Sequence, residues 1–320
     1  MRIVALVPGG IGDQILFFPT LDDIKIHYPQ SLIDVVVEPR STVAYRVNNS
    51  VNKVIPFDYK DRNGLADVGN LLGIIRDNEY DIAISLGSSW TVSILLWLTG
   101  IPTRIGYKSA LSWLLTNSVP LKTEQYAAFM YHDLLTGLDI NSPCKSPSLS
   151  IPNEDLEWQK AEKKRLDLDN GYVLIHGGSS QLSKDKGIDK IYPVPKWQQV
   201  INGIQEQKPN LSVVILAGPE DQKFVTELST SVSNIKTISS PDIGKLAAMI
   251  ADANMMLCTD SGPMHLSVGA GTKTIALFGP TKAEKLLPKS DRIIGIQSHN
   301  RSLSNISPDE ILQSFNKLMS

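Results

Sequence analysis

The stretch MMLCTDSGPMHLSVGAGTKTIALFGPT, Met255 to Thr281, reads as a strand, a helix and a second strand. An apolar run ends at Asp260-Ser261-Gly262-Pro263. Pro263 suits the first turn of the helix that starts there, because its φ is already helical and an N–H in that turn has no helical acceptor. Such alternation implies parallel strands under covering helices. The helix start aims its unpaired N–H groups and positive dipole end at one spot, a geometry suited to a diphosphate. His265 lies in that first turn, boxed between the helix start and the loop Phe278-Gly279-Pro280-Thr281, so a role in the site is expected of it.

The same rhythm runs through the rest of the chain. In the first half, strands are expected over Arg2–Val7, Leu32–Val37, Lys53–Phe57 and Asp81–Leu86, with helices over Gln14–His27, Thr42–Val47, Leu65–Asn78 and Trp90–Leu98. Three prolines and four serines between Asn141 and Asn153 suit an extended connector, which divides the chain into domains 1–150 and 151–320. Beyond it the pattern predicts helix Glu154–Leu166, strand Tyr172–His176, helix Val194–Glu206, strand Ser212–Leu216 and helix Gln222–Ser231. Strand Ile235–Ile238, helix Ile243–Ala251 and strands Met255–Cys258 and Thr274–Phe278 follow. The fold class is α/β, two Rossmann-like halves with parallel sheets.

Composition narrows the function classes. A chain of 320 residues with 42% apolar and 20% charged residues is globular and long enough for two cores. A net charge of −2 gives no bulk reason to expect nucleic acid as a partner. Two cysteines without CxxC pairing argue against a disulfide or zinc site and fit a reducing compartment, and Cys258 in its apolar run reads as inert. The N-terminal apolar run is too short for a signal peptide, and Trp90–Ile101 is too short and interrupted to span a bilayer, so a cytoplasmic location is expected. Trp90, Trp97 and Trp113 are expected to pack helices in the core, a peripheral membrane contact being the alternative.

Three further loops carry candidate chemistry. Val7-Pro-Gly-Gly-Ile-Gly-Asp-Gln14 stands at a strand-to-helix junction, where glycines permit positive φ and close approach. It lacks the G-x-G-x-x-G dinucleotide fingerprint. Asp13 reads equally as the N-cap of a helix from Gln14 and as a carboxylate at the first strand's carboxyl end, where open α/β sheets hold ligands. His176-Gly-Gly-Ser179-Ser180, followed by Lys184, Lys186 and Lys190, offers hydroxyls and a point charge to phosphate, or else is a solvated loop. In Leu216-Ala-Gly-Pro-Glu220-Asp221, a carboxylate caps the next helix or accepts from a ribose diol. Arg104 and Lys108 are open to an anionic acceptor or to a plain surface role.

Thr259-Asp-Ser-Gly-Pro-Met-His265 with Ala276-Leu-Phe-Gly-Pro-Thr281 resembles the donor-site signature of glycosyltransferase family 9, the lipopolysaccharide heptosyltransferases. Gly12-Asp13 with Ile15-Leu16 and Pro19-Thr20-Leu21 is similar to that family's opening motif. Lys190-Ile-Tyr-Pro193 resembles its lysine–aromatic–proline element, and Leu216–Glu220 its third loop. His176-Gly-Gly-Ser-Ser departs from the family's usual Pro-Gly-Ser, and Lys184 and Lys186 rival Lys190 for the phosphate role.

The resemblance implies a GT-B architecture, two Rossmann-like domains facing a central cleft. Residues 1–150 would bind the acceptor and 151–320 the nucleotide-sugar donor, with the final helix able to pack back on the first domain. It implies inverting, metal-independent transfer of a sugar, heptose from ADP-heptose in the best-known members, without a cofactor. The acceptor would be lipopolysaccharide or another lipid-linked or oligosaccharide envelope glycan at the inner face of the cytoplasmic membrane. By motif, Asp13 would be the general base, and Gly12, Ser179, Ser180 and Lys190 would meet the diphosphate. Glu220 would meet the nucleoside, and Asp260, Ser261, Gly262 and His265 the sugar and phosphates. Two other readings stay open: a GT-B-like sugar-nucleotide epimerase that needs no acceptor, and a non-catalytic sugar-nucleotide-binding protein.

Overall fold

The computed structural model describes residues 1–60, 64–178, 190–218 and 221–320. They form two compact units, Met1–Ser150 and Ile151–Ser320. In the first, the strands β1 (Arg2–Val7), β2 (Leu32–Val37), β3 (Lys53–Pro56), β4 (Ile82–Ser85), β5 (Thr103–Tyr107) and β6 (Asn117–Val119) lie in the order β3-β2-β1-β4-β5-β6. In the second, β7 (Tyr172–His176), β8 (Ser212–Leu216), β9 (Ile235–Ile238), β10 (Met255–Thr259), β11 (Thr274–Phe278) and β12 (Ile293–Gln297) lie in the order β12-β11-β10-β7-β8-β9. All the pairings are parallel. Counted from its own first strand, each sheet has the 3-2-1-4-5-6 order of a Rossmann unit. The expected fold class is the observed one. The order reverses between β1 and β4 and between β7 and β10, so the loops leaving those strands open where such sheets receive ligands.

Burial explains why these segments are strands. β7, β10 and β11 are buried at every position, as strands covered on both faces must be. In the first unit the covering helices are α1 (Ile11–His27), α2 (Leu65–Asp77), α3 (Trp90–Thr99) and α4 (Ala127–His132). The second unit carries α5 (Asn153–Arg165), α6 (Val194–Gln207), α7 (Gln222–Ser231), α8 (Ile243–Asp252), α9 (Gly262–Ala270), α10 (Ala283–Leu286) and α11 (Pro308–Met319). The final helix, α11, buries Ile311, Phe315 and Leu318 in the core of its own unit, where it meets α6 and β11. Tyr192 and Trp197, ring centroids 5.2 Å apart and edge to face, belong to the same core.

Several elements differ from expectation for local reasons. α1 starts at Ile11 rather than Gln14 and continues through Pro19, which removes the N–H that would face the Ile15 carbonyl; burial along much of the helix offsets that loss. The expected helix Thr42–Val47 is a 3-10 helix over Pro39–Val47. β5, β6 and β12 escape the pattern because they are short and carry polar residues or glycine, such as Arg104, Asn117 and Gly295. Trp90, Trp97 and Trp113 lie at the surface, correcting the expectation that they pack in the core: the buried side of α3 is formed by Ser93, Leu96 and Thr99, and the buried residue of the 3-10 turn Ser112–Leu114 is Leu114. Among the described residues no helix is long and apolar enough to cross a membrane.

The connector, residues 140–152, has no regular structure. It is pinned to α1 by carboxylates. Asp23 accepts from the Ser142 hydroxyl and lies 3.0 Å from His132 Nε2, while Asp22 is hydrogen-bonded to Ser148 of the connector and accepts from Ser50 Oγ at 2.6 Å. Between α1 and the connector lies a cavity of about 150 Å³ lined by Pro19, Asp22, Asp23, Pro143 and Lys145 among others. Burial by itself would raise the Asp23 carboxyl, but Ser142, His132 and His27 outweigh it and hold it below its ordinary 3.8. Asp23→Asn should therefore cost about 1–3 kcal/mol at neutral pH, read by urea unfolding. A carboxyl whose folded value is depressed stabilises above its unfolded value and loses that contribution as the pH falls through the folded one. Wild type and variant should thus converge as the pH drops below about 4.

Candidate active site

The turn out of β1 is built around Gly9. Its φ is +122°, and a Cβ there would stand 2.3 Å from Asp13 Oδ2, so only glycine lets the chain fold this tightly. The Asp13 carboxylate returns over the loop, accepting from Gly10 N–H at Oδ2 (2.8 Å) and from the Tyr131 hydroxyl at Oδ1 (2.9 Å). Asp13 is the third residue of α1. This corrects the N-cap reading: Gly10 holds the cap position, and the carboxylate reaches back to its N–H as in one half of a capping box. The negative charge at this helix start is thus the chain's own.

Tyr131 arrives from α4, 118 residues downstream. Burial, reinforced by the Asp13 charge, holds its hydroxyl far above the ordinary tyrosine range, so it stays protonated and donates. Beneath the loop, buried Gln14 donates to the Val7 carbonyl (3.1 Å) and accepts from the Tyr45 hydroxyl (2.8 Å). Ser41 Oγ donates to the Gly9 carbonyl at 2.8 Å. The carboxylate is therefore oriented from two sides on a braced loop.

At the switch point of the second sheet, loops from different strands are tied together by side chains. Buried His176, the last residue of β7, places Nδ1 3.1 Å from Ser261 Oγ and Nε2 3.3 Å from Asp221 Oδ2. Gly218 N–H donates to Asp221 Oδ2 at 3.0 Å, and Thr259 Oγ1 donates to the Gly178 carbonyl at 3.1 Å. A Cβ on Gly178 would lie 1.7 Å from Asp221 Oδ1, so this close approach also requires glycine. A second knot joins β10 and β11: Lys190 Nζ lies 2.5 Å from Asp260 Oδ2, and Thr281 Oγ1 donates to the same oxygen at 2.7 Å. Helix α9 starts between the knots. Its N-cap Ser261 makes no side-chain cap bond and instead donates to the Thr259 carbonyl (3.0 Å), so its hydroxyl does not cover the first-turn N–H groups.

Of the residues singled out in the sequence, Lys190, Asp260, Ser261, Gly262 and His265 stand on the β7 and β10 loops and the start of α9. His265 is buried. Asp13 and Gly12 stand in the first turn of α1 in the other unit. Ser179, Ser180, Lys184, Lys186 and Glu220 lie outside the described residues. Sequence reasoning missed Tyr131 altogether, and no local signal marks it. It missed the roles of His176, Asp221 and Thr281, although His176 is the polar end of an otherwise apolar strand. Among the described residues no group of His, Cys, Asp and Glu is arranged to hold a metal ion. Burial pushes the Cys144 thiol up to about 12 and the Cys258 thiol further, which keeps both protonated and inert.

A family model described as glycosyltransferase family 9 (heptosyltransferase) matches residues 69–314. Lipopolysaccharide heptosyltransferase 3 of Escherichia coli is 24% identical over 88% of this chain and 85% of its own. The photosynthetic NDH subunit of subcomplex B 1 of Arabidopsis thaliana is 24% identical over 89% of this chain and 66% of its own. Among solved structures, a glycosyl transferase family 9 protein from Veillonella parvula has a TM-score of 0.83 at 22% identity, covering 99% of this chain and 97% of that one. An E. coli heptosyltransferase solved with ADP-2-deoxy-2-fluoro heptose has a TM-score of 0.78 at 17% identity and covers 99% of each chain. A UDP-GlcNAc 2-epimerase from Neisseria meningitidis is a more distant likeness, with a TM-score of 0.56 at 13% identity over 100% of this chain and 91% of that one. The two Rossmann-like units are those of a GT-B fold.

The β1 loop is testable by itself. Gly9→Ala forces a Cβ into the Asp13 carboxylate at positive φ and should cost roughly 1–3 kcal/mol. Gly10→Ala adds a Cβ that meets nothing within 4 Å and should cost less, about 1 kcal/mol or under, the ordinary penalty of alanine at an N-cap. Urea unfolding of both variants checks the contrast, and equal costs would contradict the loop geometry.

Proposed function

Because the chain belongs to glycosyltransferase family 9 and is a glycosyltransferase, we propose that it moves a heptose from ADP-heptose, with inversion, to a lipopolysaccharide or other lipid-linked envelope acceptor. The proposed place of work is the inner face of the cytoplasmic membrane, and Asp13 is the proposed general base. The observation that carries this reading is the Asp13 carboxylate, oriented by Gly10 N–H and Tyr131 at the switch point of the first sheet.

Inversion needs one base on the face opposite the leaving group and no protein nucleophile. The acceptor hydroxyl oxygen attacks the anomeric carbon while the bond from that carbon to the diphosphate oxygen breaks. ADP departs with the bonding electron pair, and the hydroxyl proton passes to Asp13. An ionised carboxylate has about four lone-pair sites, so the two donors that orient Asp13 leave it able to accept that proton.

The departing diphosphate needs positive charge aimed at its developing charge. Lys190 and the start of α9 are the proposed source, without a metal. The lysine ammonium has three N–H donors, so its bond to Asp260 leaves others for a phosphate oxygen. Asp260, held by Lys190 and Thr281, retains lone pairs for sugar hydroxyls. Ser261, Gly262 and His265 complete this half of the proposed site. Gly12, Ser179 and Ser180 are proposed to meet the diphosphate, and Glu220 the nucleoside, on their motif positions.

Asp13→Asn keeps the side-chain shape and removes the base. It should lower kcat by about 10²- to 10⁴-fold while donor affinity stays within about twofold. Unchanged turnover would remove Asp13 from the reaction, and product formed from donor alone would favour the epimerase reading. Lys190→Ala should weaken donor binding by about tenfold or more, the worth of a charge-assisted hydrogen bond, measured by calorimetric titration.

A further inference from the structure

Helix α3, WTVSILLWLT, contains no charged residue. Trp90, Ile94 and Trp97 follow the i, i+4, i+7 spacing of one helical face. That face is open: Trp90 and Trp97 are each 53% exposed. Trp113 is 75% exposed, on a 3-10 turn (Ser112–Leu114) that packs beside α3. Isolated exposed apolar residues are ordinary, but three exposed indoles on one helix face and the turn packed beside it are of the kind that marks an interaction surface.

The patch is braced. Arg104 Nε donates to the Leu114 carbonyl at 3.1 Å while its Nη1 donates to the Ile101 carbonyl, which joins the turn to the end of α3. Ser93 Oγ and Ser109 Oγ meet at 3.1 Å, and Arg76 Nη2 donates to the Leu98 carbonyl at 2.6 Å. The indoles therefore sit on fixed backbone, so little ordering is required of them on contact.

Charge bears on the partner's chemistry. From Ile82 to Thr123 the chain has no Asp or Glu but three cations, Arg104, Lys108 and Lys122, in a protein whose 33 acidic residues outnumber its 31 basic ones. Lys122 pairs with Asp133 at 3.1 Å, whereas among the described residues Arg104 and Lys108 pair with no carboxylate. Indole rings favour the boundary between headgroups and acyl chains, and unpaired cations favour the phosphate layer of an anionic leaflet. An apolar groove on a protein partner would not require the surrounding chain to be free of acids.

We propose that the face formed by α3 and the Trp113 turn docks on an anionic phospholipid bilayer. Trp90, Trp97 and Trp113 seat at the acyl boundary and exposed Lys108 lies among the phosphates, while Arg104, its Nε and Nη1 held by backbone carbonyls, adds its charge to the local field. The proposal extends the placement at the inner membrane face given above, and its test does not depend on sugar transfer. The whole chain is sedimented with vesicles of phosphatidylcholine alone and of phosphatidylcholine with about one-third phosphatidylglycerol, at about 0.05 M and about 0.5 M salt. Binding to the anionic vesicles should be at least about tenfold tighter than to the neutral ones and should weaken with salt. The double variant Trp97→Ser/Trp113→Ser, with an unchanged Tm, should lose at least about tenfold in vesicle binding and keep its kcat/KM on a lipid-free acceptor. Brominated lipid should quench the fluorescence of the wild-type chain, a readout that needs no variant. No vesicle binding, no quenching, or binding indifferent to the two substitutions would overturn the proposal. So would a fall in kcat/KM on the lipid-free acceptor with vesicle binding intact, which would assign the face to the acceptor.

Discussion

A parallel sheet covered on both faces by helices can present backbone to a ligand only at its strand ends. That constraint governs the whole chain. In each unit the 3-2-1-4-5-6 order parts the neighbouring loops at one place, and the candidate chemistry stands there. The β1 loop holds a carboxylate with two donors, and the β7 and β10 loops hold a lysine–aspartate pair beside an uncapped helix start. Similar backbone frames thus carry opposite chemical emphases, one suited to taking a proton and the other to steadying a leaving anion.

Both sites depend on glycines that act through space as much as through φ. Gly9 lets Asp13 fold back onto its own helix start, and Gly178 lets Asp221 approach the strand end where it meets His176. The second knot is electrostatic as well. Lys190 and Asp260 are both largely buried, and removing one partner of such a pair leaves an uncompensated charge. In the proposed reading, a donor phosphate would exchange partners around the lysine rather than neutralise a free cation.

The fold was legible wherever burial was complete. β1, β2, β7, β8 and β11 have the bounds read from their apolar runs, because a strand buried in a parallel sheet has little room for polar residues. Legibility faded at the edge strands β6 and β12 and at β5 beside one of them, which are short and tolerate Asn117, Gly295 and Arg104. The helix start from Asp260 to His265 could be read because Pro263 and the end of the apolar run mark it locally. Tyr131 could not, since its role exists only once α4 packs on α1. The surface tryptophans were misread for the converse reason: composition alone makes α3 look like a core helix, and only its packing shows which side faces out.

The central claim is that the second unit grips a nucleotide-diphosphate sugar at the β7 and β10 strand ends. Its most direct test is the melting temperature of the intact chain with ADP-, GDP-, UDP- and dTDP-sugars in turn. ADP-heptose should give the largest rise, corresponding to about 2.7 kcal/mol of added stability at about one hundred times its Kd. No rise with any of these donors would contradict the account.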